Sequence, residues 1–376
     1  MIRFLPGILF PVLVCLIPAR STAATNPVYL SDARIETLKL RVAGRVEPNY
    51  SAWLLVKKAA DDALIASEPV VPEHYFSFSP YKDPLKHEEN KKSNTYARDC
   101  HAVFRLALAS RITGDEKYAQ GAVKLLNAWA TRLKAIDAKQ QNTSLSISAG
   151  MPDFIIAADL LKNSPSFTPT DQESFRGFIR KVVVGSDSAG LCMKRTNNWA
   201  NFGTLLAMTA GVYLEDHDLF NRGVARWKAL VDSQMTDDGT LKEEVNRPGA
   251  GDLAKVPGAM GLWYSHFSLF PATLAAEVAR VNGVDLYEYV SPGHKSLRLA
   301  YEKLVPWVKN PASFPYYKGS GDPNKLTGIF HFPYYEMLTP RWPNQDAIAL
   351  LKAHRPIRTN HCIPDETFTH GDLLND

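Results

Sequence analysis

Apolar residues recur three or four positions apart along much of this chain, in runs separated by short polar breaks. One run extends from Asp99 to Ile112 and ends at the Thr-Gly-Asp break, and a second run follows directly and reaches Ala130. This spacing is typical of amphipathic helices, and so short a break makes the two helices antiparallel neighbours. The sequence therefore favours a fold built from successive helix hairpins.

The same pattern predicts further helices along the chain. The predicted ranges are 52–66, 151–162, 197–214, 218–235, 259–282, 294–308 and 344–354. A helix should also start at Thr168, a capping residue followed by Pro169 in the first helical position. Strand-like alternation is scarce outside 314–332, where a hairpin or long loop is expected, and the polar stretch 80–94 reads as a solvated loop. We predict an all-α fold, an α/α toroid or incomplete α/α barrel around a central cleft.

The first 24 residues differ from the rest of the chain. Arg3 precedes an apolar run, and small residues suited to cleavage end at Ala24. This arrangement predicts a signal peptide over 1–24, since the apolar run is too short for a membrane span. The mature chain, 25–376, is expected to be one exported domain, extracellular or, in a bacterium, periplasmic.

Composition argues against a disordered chain, a nucleic-acid-binding protein and a cysteine-ligated metal site. With 45% hydrophobic and 22% charged residues the chain is globular, and a formal charge of +4 requires no nucleic-acid partner. Outside the predicted signal peptide the cysteines are Cys100, Cys192 and Cys362. They lack metal-binding spacing and allow one intramolecular disulfide at most, with the pair left open.

Two sequons bear on surface chemistry. Asn49 lies in Asn-Tyr-Ser and Asn142 lies in Asn-Thr-Ser, both acceptor triplets for N-linked sugars in a eukaryotic secretory pathway. Because a glycan is bulky, its use at either position requires an asparagine on the surface. We therefore predict that Asn49 and Asn142 are exposed glycosylation sites.

Polar and aromatic groups gather in two apolar segments, Thr-Asn-Asn-Trp-Ala-Asn-Phe-Gly at 196–203 and Gly-Leu-Trp-Tyr-Ser-His-Phe-Ser-Leu at 261–269. A polar turn that ends at Arg247 lies between them. Amide, guanidinium, phenol and imidazole groups can together neutralise a sugar carboxylate, remove the neighbouring proton and protonate a leaving oxygen. No sequence fingerprint for a metal, phosphate or dinucleotide site is present, so we predict no organic cofactor and no catalytic metal.

These segments, with the hairpin from Arg105 to Ala130 and the stretch 275–286, resemble the helical-toroid alginate lyases, and the likeness covers roughly 97–289. The resemblance implies that Asn198 and Arg247 neutralise a uronate carboxylate. It implies that Tyr264 gives a proton to the leaving oxygen and often also takes the first proton. We further predict substrate contacts for a second set of residues. They are Asn197, Trp199, Trp263, Tyr335 and Arg341, with Tyr334 considered alongside them.

The chain departs from the family pattern at two positions. The family generally has histidine after the asparagine pair and commonly before the tyrosine, where this chain has Trp199 and Trp263. Tryptophan removes an imidazole but offers a face for stacking on sugars. His266 is the candidate replacement, although residues two apart on a regular helix point about 200° apart. Tyr264 and His266 can share a site only if this stretch is extended or irregular.

The link between Arg247 and Tyr264 is longer than usual for the family and rich in glycine and proline. It is either a loop over the cleft, where Lys255 reaches the substrate, or a surface insertion.

These observations predict a secreted polysaccharide lyase. It would cleave a 1,4-linked, alginate-like uronate polymer by β-elimination. Its partner is then an anionic polysaccharide. Two alternatives stay open. An inverting glycoside hydrolase would use two carboxylates, and the acidic pairs at 237–238 and 243–244 are the candidates, although their setting in a turn favours a structural role. A non-catalytic relative would bind uronate polymers without cleaving them.

Overall fold

A computed structural model describes residues 26–66, 68–69, 71–77, 87–249, 254–319, 332–359 and 361–374. The predicted signal peptide over 1–24 lies outside these residues, as does most of the predicted hairpin region, 320–331. Within the described part of the chain, no helix is both long and apolar enough to cross a membrane.

Helices account for nearly all the regular structure. In chain order they are α1 (Asp32–Ala43), α2 (Asn49–Leu64), α3 (His87–Thr113), α4 (Glu116–Arg132), α5 (Gln141–Leu160), α6 (Pro169–Phe178), α7 (Ser188–Met193), α8 (Asn198–Leu214), α9 (His217–Gln234), α10 (Gly261–Val281), α11 (Leu297–Lys309), α12 (Tyr335–Leu338), α13 (Gln345–His354) and α14 (Glu366–His370). The all-α prediction is confirmed. The first predicted hairpin is present as α3 and α4.

The predicted start of α6 is also confirmed. The Thr168 side chain accepts a hydrogen bond from the backbone N–H of Asp171, and the Asp171 carboxylate accepts one from the backbone N–H of Thr168. With Pro169 in the first helical position, this capping box fixes where the helix begins. The helix continues as a π-helical segment over Ile179–Val184.

Inner and outer helices differ in how much of their surface they bury. Helices α5, α8 and α10 are enclosed on nearly all sides, whereas α4, α9 and α11 bury one face. Helix α8 packs against α5, α7, α9 and α10, and α3 packs against α4 and α5. A helix that is apolar all round belongs inside, and an amphipathic one belongs outside. Successive hairpins thus place their inner helices around one shared core.

The structure departs from the predictions in several places, among them the short helices α7, α12 and α14, which were not predicted. A two-stranded parallel sheet joins β1 (His74–Phe76) to β2 (Leu133–Ile136), and strands this short carry no readable alternation. Helix α1 was not predicted, because it buries only Ile35 and Leu38. Helices α3 and α5 begin well before their predicted starts, with α3 including the second half of the stretch predicted to be a loop.

The prediction of a glycan on Asn49 is wrong. Its side chain is fully buried at the start of α2, where Nδ2 donates to the carbonyl oxygens of Thr367 (3.3 Å) and Phe368 (2.9 Å). Its Oδ1 accepts from Arg41 (2.9 Å). Both ends of the amide are used inside the protein, so no sugar can be attached without unfolding this region. Asn142 is only partly buried, and its glycosylation stays a prediction.

The sequence allows one disulfide among Cys100, Cys192 and Cys362. In the structure all three are buried free thiols. Burial raises the pKa of Cys192 to about 11 and raises that of Cys100 and Cys362 well above the ordinary range. All three therefore stay protonated at neutral pH.

Replacing Asn49 with alanine should lower the free energy of unfolding by about 1–3 kcal/mol, because two buried carbonyls lose their donor. Urea unfolding of both proteins measures this difference. Asn142→Ala is the control and should change stability by no more than about 0.5 kcal/mol. Equal stability of Asn49→Ala and the parent protein would contradict the structural role of this amide.

Candidate active site

A buried carboxylate, that of Glu244, organises the candidate site. Its Oε1 accepts a hydrogen bond from the backbone N–H of Asn198 (2.7 Å), and Nδ2 of Asn198 lies 3.0 and 3.1 Å from the two carboxylate oxygens. This places a negative group at the amino terminus of α8, where the helix dipole favours it. Burial raises the pKa of Glu244, although the hydrogen bonds from Asn198 and the charge of Arg247 oppose that shift.

Arg247 lies one turn after Glu244 and joins it to the next helix. Its Nε is 3.4 Å from Oε2 of Glu244, and its guanidinium carbon is 5.0 Å from the centre of the Tyr264 ring. One third of the Arg247 side chain is exposed. The guanidinium is thus held from one side by a carboxylate and against a phenol, while part of it remains open to a ligand.

Tyr264 lies on the first turn of α10 and is partly exposed. A β-carbon at Gly261, where that helix begins, would lie 2.2 Å from the carbonyl oxygen of Val245. Only glycine permits so close an approach between the start of α10 and the turn before Arg247. The backbone N–H of Met260 also donates to the carbonyl of Arg247 (3.0 Å). These contacts fix Tyr264 beside Arg247.

The three residues at the start of α8 have different surroundings. Asn197 caps the helix, since its side chain accepts from the backbone N–H of Trp199 (3.3 Å). Trp199 is partly exposed, and the Arg195 guanidinium carbon lies 5.6 Å from its ring centre. Asn198 is fully buried, and within the part of the chain that the structure describes its Oδ1 has no hydrogen-bond partner. A buried oxygen left without a donor costs about 1–3 kcal/mol.

The structure separates His266 from Tyr264, so its prediction as a catalytic residue is wrong. Both belong to regular turns of α10, and positions two apart on a helix point about 200° apart. His266 is fully buried in the core, where its Nδ1 is 2.9 Å from the hydroxyl of Tyr334. The imidazole therefore belongs to the packing between α10 and the residues that precede α12.

Two residues predicted to bind substrate also lie elsewhere. Tyr335 is fully buried against Tyr301, with ring centres 5.1 Å apart, so it lines no groove. The guanidinium carbon of Arg341 lies 4.1 Å from the ring centre of Tyr287, whose hydroxyl donates to Glu277 near the end of α10. Glu277 follows Tyr264 by about 20 Å along the helix, at about 1.5 Å per residue. Arg341 therefore lies near the opposite end of α10 from Tyr264, and its contact with substrate stays a prediction.

Lys255 is exposed on the link between Arg247 and Tyr264. A role in gripping substrate stays a prediction for this residue.

An aromatic layer continues from Tyr264 toward a cavity. Trp263 stacks on Phe267 with ring centres 4.7 Å apart and an angle of 25°, and His361 meets Phe267 edge-on at 4.8 Å. The cavity measures about 230 Å³. Its lining includes Tyr96, His101, Ser146, Phe202, Phe267 and His361. Flat apolar rings with a few polar groups suit the face of a pyranose ring.

Sequence reasoning missed three residues of this region. Glu244 was assigned to a turn, and nothing in its local pattern indicates that it reaches the start of α8. His101 and His361 come from distant segments, and Nε2 of His101 bonds to the carbonyl of His361. Burial and the nearby Arg105 lower the pKa of His101 to about 4, so this imidazole is neutral at neutral pH. Only the folded chain brings these groups together.

Comparison with known proteins places this arrangement in a family. The family model described as alginate lyase matches residues 75–314, which is more than half of the chain. A polysaccharide lyase from Stenotrophomonas maltophilia is 26% identical over 271 residues, covering 69% of this chain and 75% of that protein. An alginate lyase from Pseudomonas fluorescens is 29% identical over 146 residues, covering 39% of this chain and 35% of that protein.

Solved structures agree on the fold. An alginate lyase from Bacteroides ovatus superposes with a TM-score of 0.73 at 20% identity, covering 93% of this chain and all of that one. Alginate lyase A1-III from Sphingomonas species A1 gives 0.74 at 17% identity, covering 93% and 96%. The predicted α/α toroid is confirmed by this likeness. With the motif match around Asn198, Arg247 and Tyr264, these findings identify the chain: it belongs to the alginate lyase family and is a polysaccharide lyase.

Proposed function

We propose that this protein is a secreted lyase that cleaves a 1,4-linked uronate polymer, alginate-like, by β-elimination and releases unsaturated oligosaccharides. The observation that carries the proposal is the packing of Arg247 between the Glu244 carboxylate and the Tyr264 ring. It is supported by relatives named alginate lyase and by alginate lyase A1-III in complex with a tetrasaccharide, which resembles this chain with a TM-score of 0.74 at 18% identity. Export rests on the predicted signal peptide.

In this proposal Arg247 binds the uronate carboxylate. The proton on C5 lies next to that carboxylate, and negative charge accumulates there as the proton leaves. A guanidinium on the carboxylate withdraws this charge and makes the proton easier to remove. Because Glu244 holds Arg247 from behind, the guanidinium does not have to be ordered at each turnover. Nδ2 of Asn198 donates to the Glu244 carboxylate, and the predicted action of Asn198 on the uronate carboxylate remains part of this proposal.

Tyr264 moves the protons. Its side chain is partly exposed beside Arg247, so it can reach both the C5 hydrogen and the oxygen on C4 of a bound sugar. With His266 buried in the core, we assign both steps to Tyr264, which takes the C5 proton and returns it to the leaving oxygen. The C4–O bond breaks as a C4=C5 double bond forms, and no water is consumed. One group acting on one face of the sugar corresponds to syn elimination.

Tryptophan takes the place of imidazole around this site. Trp199, at the start of α8, and Trp263, directly before Tyr264 in α10, are both partly exposed. We propose that they bind sugar faces and that the aromatic cavity lined by Phe267 and His361 receives a neighbouring sugar. Asn197 acts on this site through the N-cap that sets the position of Trp199.

An inverting hydrolase is less well supported. Such enzymes need two carboxyl groups, about 6.5–9.5 Å apart, that face the scissile bond. Glu244 is buried and bound to Asn198, while Asp238 is bound to Lys303 (2.6 Å) and Thr236 (2.6 Å). Both carboxylates are therefore committed to structural contacts. The other alternative, a non-catalytic relative, would bind uronate polymers at the same site without cleaving them.

Replacing Tyr264 with phenylalanine should lower kcat on uronate polymers by about 100-fold or more, because the general acid and base is lost. Product formation is followed by absorbance near ~235 nm, which the new conjugated double bond creates. Tyr50→Phe is the control, since Tyr50 also lies under an arginine, with Arg45 at 5.8 Å, and should cleave at the parent rate.

Three outcomes would overturn parts of the proposal. Parent-level activity of Tyr264→Phe would exclude this tyrosine from catalysis. New reducing ends without the absorbance would indicate hydrolysis. Binding without either signal, across mannuronate, guluronate and glucuronate polymers, would indicate a non-catalytic relative.

Replacing Glu244 with glutamine should lower kcat by on the order of 100-fold, because loss of the negative charge releases Arg247 from its position. The exposed neighbour offers a matched control, Glu243→Gln, which should retain parent activity. Urea unfolding separates positioning from stability. If Glu244→Gln lowers stability and leaves kcat unchanged in the folded protein, Glu244 is structural only.

A further inference from the structure

We propose a second binding site, for the carboxylate of a sugar acid, in an arginine-lined cavity near the carboxyl end of α10. The cavity measures about 240 Å³. Its lining includes Tyr29, Arg34, Glu277, Arg280, Arg341 and His370. It lies about 20 Å along α10 from Tyr264, at about 1.5 Å per residue. The choice of a sugar acid as ligand rests on the proposed function, whereas the preference for an anion rests on the cavity alone.

The carboxylates of this cavity are already paired. Glu277 accepts from Arg280 (2.6 and 2.9 Å) and lies 3.5 Å from Nε2 of His370. Asp372 accepts from Arg34 (3.1 Å) and Arg41 (2.7 Å). Burial opposes ionisation of both acids, yet the neighbouring arginines lower the pKa of Glu277 and of Asp372 below their usual ranges. The acids are thus ionised and their charges are offset.

Glu336, a further acid of the lining, is also occupied. Arg355 donates to both of its oxygens, at 3.0 Å from Nε and 2.5 Å from Nη2, and Thr367 donates at 2.6 Å. None of these acids therefore remains to compensate an additional guanidinium in the cavity.

Two guanidinium groups keep unused donors. Nη2 of Arg34 is buried and has no hydrogen-bond partner among the described residues. Arg341 is exposed, packs 4.1 Å above the Tyr287 ring, and forms no ion pair with any carboxylate in the described ranges. The stacking holds the guanidinium plane in place and leaves its edge available. A carboxylate can accept two parallel hydrogen bonds from such an edge.

The size and composition of the cavity favour a sugar acid over a bare ion. Its volume equals that of about eight water molecules at about 30 Å³ each, which admits one sugar ring. The Tyr29 hydroxyl and the His370 imidazole lie 3.4 Å apart and give one wall of the cavity a polar, aromatic lining. A uronate bound here would keep part of an anionic chain on the enzyme while Tyr264 acts on another part.

Calorimetric titration with glucuronate tests the proposal, with Tyr264→Phe protein as the parent so that no turnover occurs. Arg341→Ala should weaken binding at least tenfold, because the bidentate contact is lost. Arg298→Ala is the matched control, since Arg298 is an exposed helix arginine paired with Glu302, and should bind like the parent. A second variant, Arg341→Lys, keeps the charge but not the paired donors. Its affinity for glucuronate should lie between that of the parent and that of Arg341→Ala.

Glucose and sulfate serve as comparison ligands in the same titration. Glucose should not bind measurably, because it lacks the carboxylate, and sulfate should bind more weakly than glucuronate. Equal binding by Arg341→Ala and Arg298→Ala would overturn the site. Sulfate binding as tight as glucuronate would overturn its assignment to a sugar acid.

Arg247→Ala separates this site from the one at Tyr264. Glucuronate binding that survives Arg247→Ala and is lost in Arg341→Ala shows a site separate from Arg247, and the reverse overturns the proposed site. The proposed lyase activity is tested separately. If it is absent, uronate polymers treated with the protein show no absorbance near ~235 nm, whatever the binding results.

Discussion

The pairing of a buried Glu244 carboxylate with the start of helix α8 is the contact on which the rest of the site depends. It joins an inner helix to the turn that carries Arg247, and Arg247 in turn packs on Tyr264 of α10. Three segments that are far apart in the chain thereby share one charged centre. A buried carboxylate is costly unless it is well bonded, so the contact is present only when all three segments are in place.

Close packing around this centre gives it rigidity. Inner helices α5, α8 and α10 are enclosed by their neighbours, which leaves their end residues little freedom. The absence of a side chain at Gly261 lets α10 begin in contact with the turn at Val245. The groups that we propose to be reactive therefore lie at the ends of well-packed helices, where a toroid can combine a firm scaffold with access to solvent.

How much could be predicted from the sequence depended on how local each feature is. The α3–α4 hairpin and the Thr168 cap were predicted because periodicity and capping act within a few residues. The same helical geometry excludes His266 from the site, once α10 is known to be regular from Gly261. Glu244 was missed because its partner Asn198 lies 46 positions away.

The remaining differences have the same origin. His361 reaches the aromatic layer from the end of the chain, and Arg341 belongs to a cavity at the far end of α10, so neither placement leaves a local pattern. Asn49 matches a sequon but is enclosed by a segment more than 300 residues later. The family motif identified the enzyme class correctly, because the resemblance is carried by short segments that can be recognised without the fold.

The contacts of Asn49, Arg34 and Arg41 with residues 367–372 have a consequence for how the molecule forms. The first two helices have their hydrogen-bonding partners in the last part of the chain, so they cannot complete their packing while that part is still being synthesised. The packing of α1 and α2 is therefore among the last parts of the fold to be completed, whatever the rest of the toroid has already formed.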